Sequence, residues 1–154
     1  MRVAPIGVFV CLLTATALAV GPEDVATRSR DANVVVVGSV VEISARFDTN
    51  RFGDQLIVTT AAVAVEETLK GSPVGVVHVT FEGGTVGDLT LKVSDMPSPR
   101  PGDRAVLFLD ANELGYVPHG RGADVYLPLD GRGRARGTTM NLGQIRRAVR
   151  GNLP

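Results

Sequence analysis

The chain has little of the chemistry that most catalytic and metal sites require. Its 154 residues include one cysteine, two histidines and no tryptophan. The cysteine, Cys11, lies in the first segment, so a chain that loses this segment has no thiol nucleophile, no cysteine-ligated zinc and no disulfide. Such a chain depends on burial alone for its stability, which about 135 residues can supply.

Neither sign of charge dominates the sequence. Sixteen basic side chains balance sixteen acidic ones, and loss of Arg2 with the first segment leaves a net charge near −1. A near-neutral chain has no overall field that attracts nucleic acid or an anionic membrane. We therefore predict that nucleic acid is not a partner.

The long apolar run at the start is typical of a secretory signal. A positive Met1-Arg2 precedes an uncharged, mostly apolar run, and Ala17-Leu18-Ala19 has the small-x-small form of a cleavage site. We predict a signal peptide over residues 1–19, a secreted or periplasmic location, and no stable membrane anchor after cleavage. The alternative is an uncleaved anchor, although a run of about 18 residues is at the lower limit for spanning a bilayer.

The rest of the sequence has mostly a strand period. Residues 20–32 are polar and are predicted to be a loose lead-in. Val34–Val37 then opens a strand in which apolar and polar side chains alternate from Val37 onward, which predicts that Val37, Val41 and Ile43 lie on one side. Gly38 within this strand indicates a bulge. Further strand patterns cover residues 55–69, 74–81, 89–93, 104–110, 116–117 and 124–129.

The period changes near the end of the chain. Leu142, Ile145 and Val149 follow a helical spacing, and Thr139 or Asn141 is a suitable N-cap. The prediction is an all-β domain over residues 33–137, a small OB-like Greek-key barrel of five to seven strands, with one C-terminal helix in residues 138–154. A β-sandwich is the second choice.

Three blocks carry a family resemblance. The stretches 32–41, 63–71 and 101–109 resemble the "V-x-V-G-x-V", "V-x-E-x-x-K-G" and "G-x-x-Y-L-V-F" blocks of netrin-like or TIMP-like OB modules. They are also similar to blocks in small exported bacterial proteins of unknown function. The resemblance implies an OB fold, and a hydrolase inhibitor is one function that it suggests. TIMP-type inhibitors act through a free N-terminal cysteine and disulfides, and no residue here can take over that role.

The glycine-rich stretch 83–87 and the two histidines are the motifs closest to catalytic or phosphate-binding chemistry. A phosphate loop must open a helix, whereas a strand pattern follows here, so the glycines are predicted to form a structural turn. His78 and His119 lack the spacing of a zinc site. No cofactor or metal is predicted, and the chain is predicted not to be an enzyme.

The best candidate contact surface brackets the first hairpin loop. Arg46-Phe47 and Arg51-Phe52 place aromatic rings beside guanidinium groups, at the loop that borders the ligand face of OB-type barrels. The alternative is that both rings close the mouth of the barrel and both arginines are solvated. A second basic tract, residues 132–137, is interpreted as a solvated turn or as a contact for an anionic surface.

These observations favour a binding function over catalysis. The predicted function is a non-enzymatic binding module that contacts another exported protein. The alternatives are a metal-dependent or other hydrolase that uses His78 or His119, and a structural component of the cell envelope.

Overall fold

The computed structural model describes residues 21–50 and 52–151, so the signal peptide predicted over residues 1–19 lies outside the described residues. No helix within these two ranges has the length and apolar character that crossing a bilayer requires. The elements in chain order are α1 (Pro22–Asp31), β1 (Val34–Thr49), β2 (Gln55–Lys70), β3 (Val76–Glu82), β4 (Gly84–Val86), β5 (Leu89–Leu91), β6 (Arg104–Asn112), β7 (Gly115–Pro118), a 3-10 turn (Ala123–Val125), β8 (Tyr126–Pro128) and α2 (Leu142–Arg150).

Six of the eight strands form one curled sheet, in the order β1-β2-β3-β7-β6-β8. The sheet turns back on itself because β1 also pairs with β6, from Val34↔Leu109 to Ser39↔Arg104. β3 and β7 are joined by a single parallel pair, Val79↔Tyr116, so the sheet does not close into a continuously bonded barrel. β4 and β5 form a separate hairpin. The predicted mainly β architecture with a C-terminal helix is confirmed, with more strands than expected.

Bulges in β1 determine which side chains are buried. The pairing of β1 with β2 shifts at three points, including Val37/Gly38 as predicted and Val40/Glu42. Because a bulge reverses the alternation, the expectation that Val37, Val41 and Ile43 share one side is wrong. Val41 has no partner in β2, and Ile43 lies opposite Ala61.

The strand β1 contributes to two apolar clusters, one on each face. Val34 and Val36 pack inside the curl of the sheet with residues such as Val63, Phe81 and Leu107. Val35 and Val37 lie on the opposite face, beneath the two helices. The start of β1 is therefore buried on both faces, which explains why the run is β-branched throughout.

Both helices cover the second of these faces. In α2, Leu142, Ile145 and Val149 are buried as the spacing predicted, and Asn141 caps the helix by accepting a hydrogen bond from the Gln144 amide. The lead-in expected to be loose instead forms α1, with Val25 buried in the same cluster.

Candidate functional site

A hairpin arm extends from the curled sheet. We define it as residues 42–62, where β1 pairs with β2 from Glu42↔Ala62 to Thr49↔Gln55 and no longer with β6. Asn50 closes its tip, because the Asn50 side-chain oxygen accepts hydrogen bonds from the amides of Phe52 and Asp54 at 2.9 Å each. Cross-strand pairing along the arm fixes the direction of each side chain.

The two faces of the arm differ in polarity. Ile43, Ala45 and Phe47 lie opposite Ala61, Thr59 and Ile57, and these six form what we call the inner face, which continues the inside of the curled sheet. On the outer face β1 carries Glu42, Ser44, Arg46 and Asp48, opposite Ala62, Thr60, Val58 and Leu56 of β2, so the polar groups of this face are mainly on β1. An apolar surface therefore runs outward from the interior of the sheet along one side of the arm.

Part of this apolar surface is covered and part is open. Gly84 of β4 crosses the arm so closely that a Cβ there would lie 2.3 Å from the Thr59 hydroxyl and 3.4 Å from Ala45. Thr59 donates a hydrogen bond of 2.7 Å to the carbonyl of Gly83. On either side of this crossing the inner-face side chains of β1 are exposed, at 39% for Ile43 and 51% for Phe47.

A cleft of about 350 Å³ separates the arm from the β4–β5 hairpin. Its lining includes Ile43, Ala45, Thr59, Phe81, Thr85, Leu91, Lys92, Pro97 and Pro99. Residues 83–87 form one wall, and the prediction that they are a turn is right only at Gly87, because Gly84–Val86 form strand β4. β5 follows as a strand rather than a helix, as the sequence predicted. The cleft therefore combines a mainly apolar lining with one lysine, one glutamate (Glu82) and a few hydroxyl groups.

Three of the predicted site residues, Arg46, Phe47 and Phe52, lie on this arm, and Arg46 and Phe47 point to opposite faces of it. Arg46 is on the outer face, where it forms a 2.7 Å ion pair with Asp48, whereas Phe47 is on the inner face. Phe52 lies at the tip and is 75% exposed. Arg51 lies outside the described residues. Neither of these two phenylalanines fills the mouth of the sheet, which contradicts the alternative that both rings close it.

Sequence patterns missed the neighbouring apolar residues of the arm. Ile43 adds to the exposed apolar surface of Phe47, and Val41, which immediately precedes the arm, is 55% exposed. Their alternation with charged residues predicted a strand with one buried face. Only the departure of β1 from β6 leaves that face open, and a single strand pattern carries no signal for it.

The two histidines lie in different surroundings. His119 is joined through Nδ1 to an Asp110 carboxylate oxygen at 2.8 Å, and its backbone carbonyl accepts a hydrogen bond from Arg28. His78 is exposed on the side of β3 that faces away from the interior, as predicted. In the described ranges no group of three or more His, Cys, Asp or Glu residues could hold a metal ion.

Several acidic groups near β6 have altered proton affinities. Burial raises the pKa of Glu66, but hydrogen bonds from Ser39 and Arg104, with the charge of Arg104, outweigh it and lower that pKa. Burial, reinforced by the nearby Asp103 carboxylate, raises the pKa of the Tyr126 hydroxyl. These groups lie in ion pairs and hydrogen bonds that join strands, so they stabilise the fold next to the arm.

The basic tract at residues 132–137 forms a tight turn. Asp130 accepts hydrogen bonds from the amides of Arg132 and Arg134, and these bonds lower the pKa of Asp130. Arg136 lines a second cleft, of about 530 Å³, together with Arg100 and Tyr126. The acidic groups Asp95 and Asp103 line the same cleft, which is therefore of mixed charge.

Comparison with protein-family models and with curated proteins found no match for this chain.

Proposed function

We propose that the protein is an exported, non-enzymatic binding module that contacts another exported protein through the inner face of its hairpin arm. The observation that carries the proposal is the exposed apolar surface of Ile43 and Phe47 beside the cleft. Contiguous apolar surface rimmed by polar groups is typical of interaction sites, because leaving it in water is unfavourable.

The proposed fold supports this location. We interpret the curled sheet as a partly open, OB-like Greek-key barrel, since its pairing returns from β7 through β6 to β1. In such barrels the second and third strands and the loop after the first strand border the ligand. The hairpin arm and the cleft occupy the corresponding place here.

The kind of partner that we propose follows from the signal-like first segment and from the family resemblance. The signal-like first segment supports a secreted or periplasmic location, where a partner would also be exported. A hydrolase is one partner that the resemblance to TIMP-like modules suggests. Inhibition would then proceed by surface contact at the arm, because the described chain has no cysteine with which to bind a catalytic metal.

The test is capture of a partner from the exported fraction with the chain lacking residues 1–19. We expect the Phe47→Ala variant to unfold at the same temperature as the wild type and to lose the captured protein. Leu114→Ala is the matched control, because Leu114 is also exposed but lies in the β6–β7 turn. Retention of the partner by Phe47→Ala, or unfolding of that variant, would show that the arm is not the contact surface.

One observation favours a second candidate function, a hydrolase that uses His119. The bond between its Nδ1 and Asp110 is the arrangement that orients an imidazole for proton transfer. Under the main proposal, replacing His119 and His78 by glutamine leaves partner capture unchanged. Hydrolysis of a peptide or ester substrate that disappears in the His119→Gln variant would instead favour the enzyme.

A further inference from the structure

The outer edge of the hairpin arm is an open strand edge. On this side of β1, β6 pairs with Val34–Ser39 and the segment Gly102–Asp103 bonds both backbone groups of Val40 at 2.8 Å. From Glu42 to Thr49, β2 is the only strand that pairs with β1 within the described ranges. Such an edge presents unpaired backbone donors and acceptors to another strand.

The side chains along this edge are complementary to those of a second copy. We propose that the protein forms a two-fold symmetric dimer in which Glu42–Arg46 pairs antiparallel with the same segment of a second copy, with the axis at Ser44. Glu42 then faces Arg46 of the second copy, and Arg46 faces its Glu42. On the other face Ile43 lies opposite Ala45 of the second copy.

Three observations support this register. Opposite charges directly across an antiparallel pair are stabilising, and like charges are destabilising. Symmetry repeats the contact, so one pair of residue types gives two ion pairs. Glu42 also has no ion-pair partner among residues 21–50 and 52–151, and within the same ranges the ion pair of Arg46 is with the exposed Asp48. The paired segment has five residues, an ordinary length for a strand.

A competing register would place the axis at Phe47. Arg46 would then face Asp48 of the second copy, which only exchanges the 2.7 Å pair within each chain for the same pair between chains and adds no ion pair for Glu42. The paired segment would also reach the end of β1 at Thr49. The register at Ser44 uses the unpaired Glu42 and lies wholly within the strand.

The dimer goes beyond the proposed function and is separable from it. Because the axis is perpendicular to the joined sheet, both inner faces remain on the same side. Each partner-binding surface would then be presented next to its copy, so a partner with two matching segments would bind with increased avidity. Failure of partner capture would not affect the dimer, since the edge and the inner face are different surfaces.

The test is a charge-swap series with the chain lacking residues 1–19, measured by sedimentation velocity over a range of concentrations. We expect the wild type to dimerise, and Glu42→Arg and Arg46→Glu each to weaken the dimer by about tenfold or more, since each change makes two repulsive pairs. An equimolar mixture of the two variants is expected to form a heterodimer, because the two arginines at these positions in one chain then face the two glutamates in the other. Glu113→Arg, the same charge change in the β6–β7 turn, is expected to have no effect.

Several results would overturn the proposal. A wild-type chain that stays monomeric at the highest soluble concentration excludes the dimer. Single variants that dimerise like the wild type, or a mixture without a heterodimer, exclude this pairing. Loss of the dimer in Asp48→Arg with retention in Glu42→Arg would establish the register at Phe47 instead. If Arg46→Glu does not fold, additivity of Glu42→Ala and Arg46→Ala in the dimer affinity would exclude the contact.

Discussion

Replacing Gly38 by alanine tests whether β1 can pair closely with both β2 and β6 because residue 38 has no side chain. A Cβ at this position would lie 2.6 Å from a Val63 methyl group and 2.7 Å from the Ala64 carbonyl oxygen, whereas ordinary contacts begin at 3.4 Å. The Ala64 carbonyl belongs to the backbone of β2 and cannot rotate away, so β1 and β2 must separate by about 0.7 Å to restore an ordinary contact. β6 pairs with the other edge of β1 at this position and resists the movement.

The expected free energy follows from two opposing effects. Overpacking a well-packed site typically costs about 1–3 kcal/mol, and the backbone contact places Gly38→Ala near the upper end. The smaller conformational freedom of alanine in the unfolded chain offsets about 0.4–1 kcal/mol of this cost. We therefore expect a loss of about 2 kcal/mol, equivalent to a decrease in Tm of roughly 6–10 °C for a domain of this size.

Urea and thermal unfolding followed by circular dichroism measure this loss. Gly131→Ala is the matched control, because a Cβ there meets nothing within 4 Å and the backbone is not left-handed. We expect the control to unfold at or slightly above the wild-type midpoint. A Gly38→Ala variant as stable as Gly131→Ala would refute the close approach of β1 and β2 at this position.

Three further predictions concern the helix and one ion pair. Ile145→Ala removes a fully buried side chain from beneath α2 and should lower the free energy of unfolding by about 3 kcal/mol in urea titrations, so a loss no larger than that of an exposed substitution would contradict the packing. Asn141→Ala removes the N-cap and should lower it by about 1 kcal/mol in the same assay, whereas Asn141→Ser should retain most of the stability. Folding lowers the pKa of Glu66 below its ordinary value of 4.5, so the ionised side chain stabilises the folded state. This stabilisation is complete above pH 4.5 and is lost as the pH falls through the lower pKa of the folded state. The Glu66→Gln variant should therefore lose less stability than the wild type on acidification. Urea midpoints of both proteins, measured above and below the pKa of Glu66, test this. An equal decrease in the two proteins would show that the Glu66 charge does not stabilise the fold.

Most strands could be predicted from the sequence because their patterns are local. The alternation in β2 and β3 placed Val63, Val77 and Phe81 in the interior, where they are found. Pro101-Gly102 is a typical centre for a type II turn, and Gly102 has the required positive φ of 87°. Each of these signals depends on neighbouring residues alone.

The parts that were missed depend on distant contacts or on weak periodicity. α1 has helix-start signals, a proline and two acidic residues in its first turn, but its only large buried side chain is Val25, so no helical period is visible. The exposure of Ile43 and Phe47 depends on where β6 stops pairing with β1. That point is set by residues more than 60 positions away.

The double role of β1 also determines the order in which the chain can fold. Its pairing with β2 joins neighbours across a short turn, whereas Val34 and Leu109 are 75 residues apart. Non-local pairs form slowly because the intervening chain must lose its conformational freedom first. The apolar run Val34–Val37 consequently remains incompletely covered until β6 pairs with it, so β1 cannot complete its packing before the chain as far as Leu109 is available.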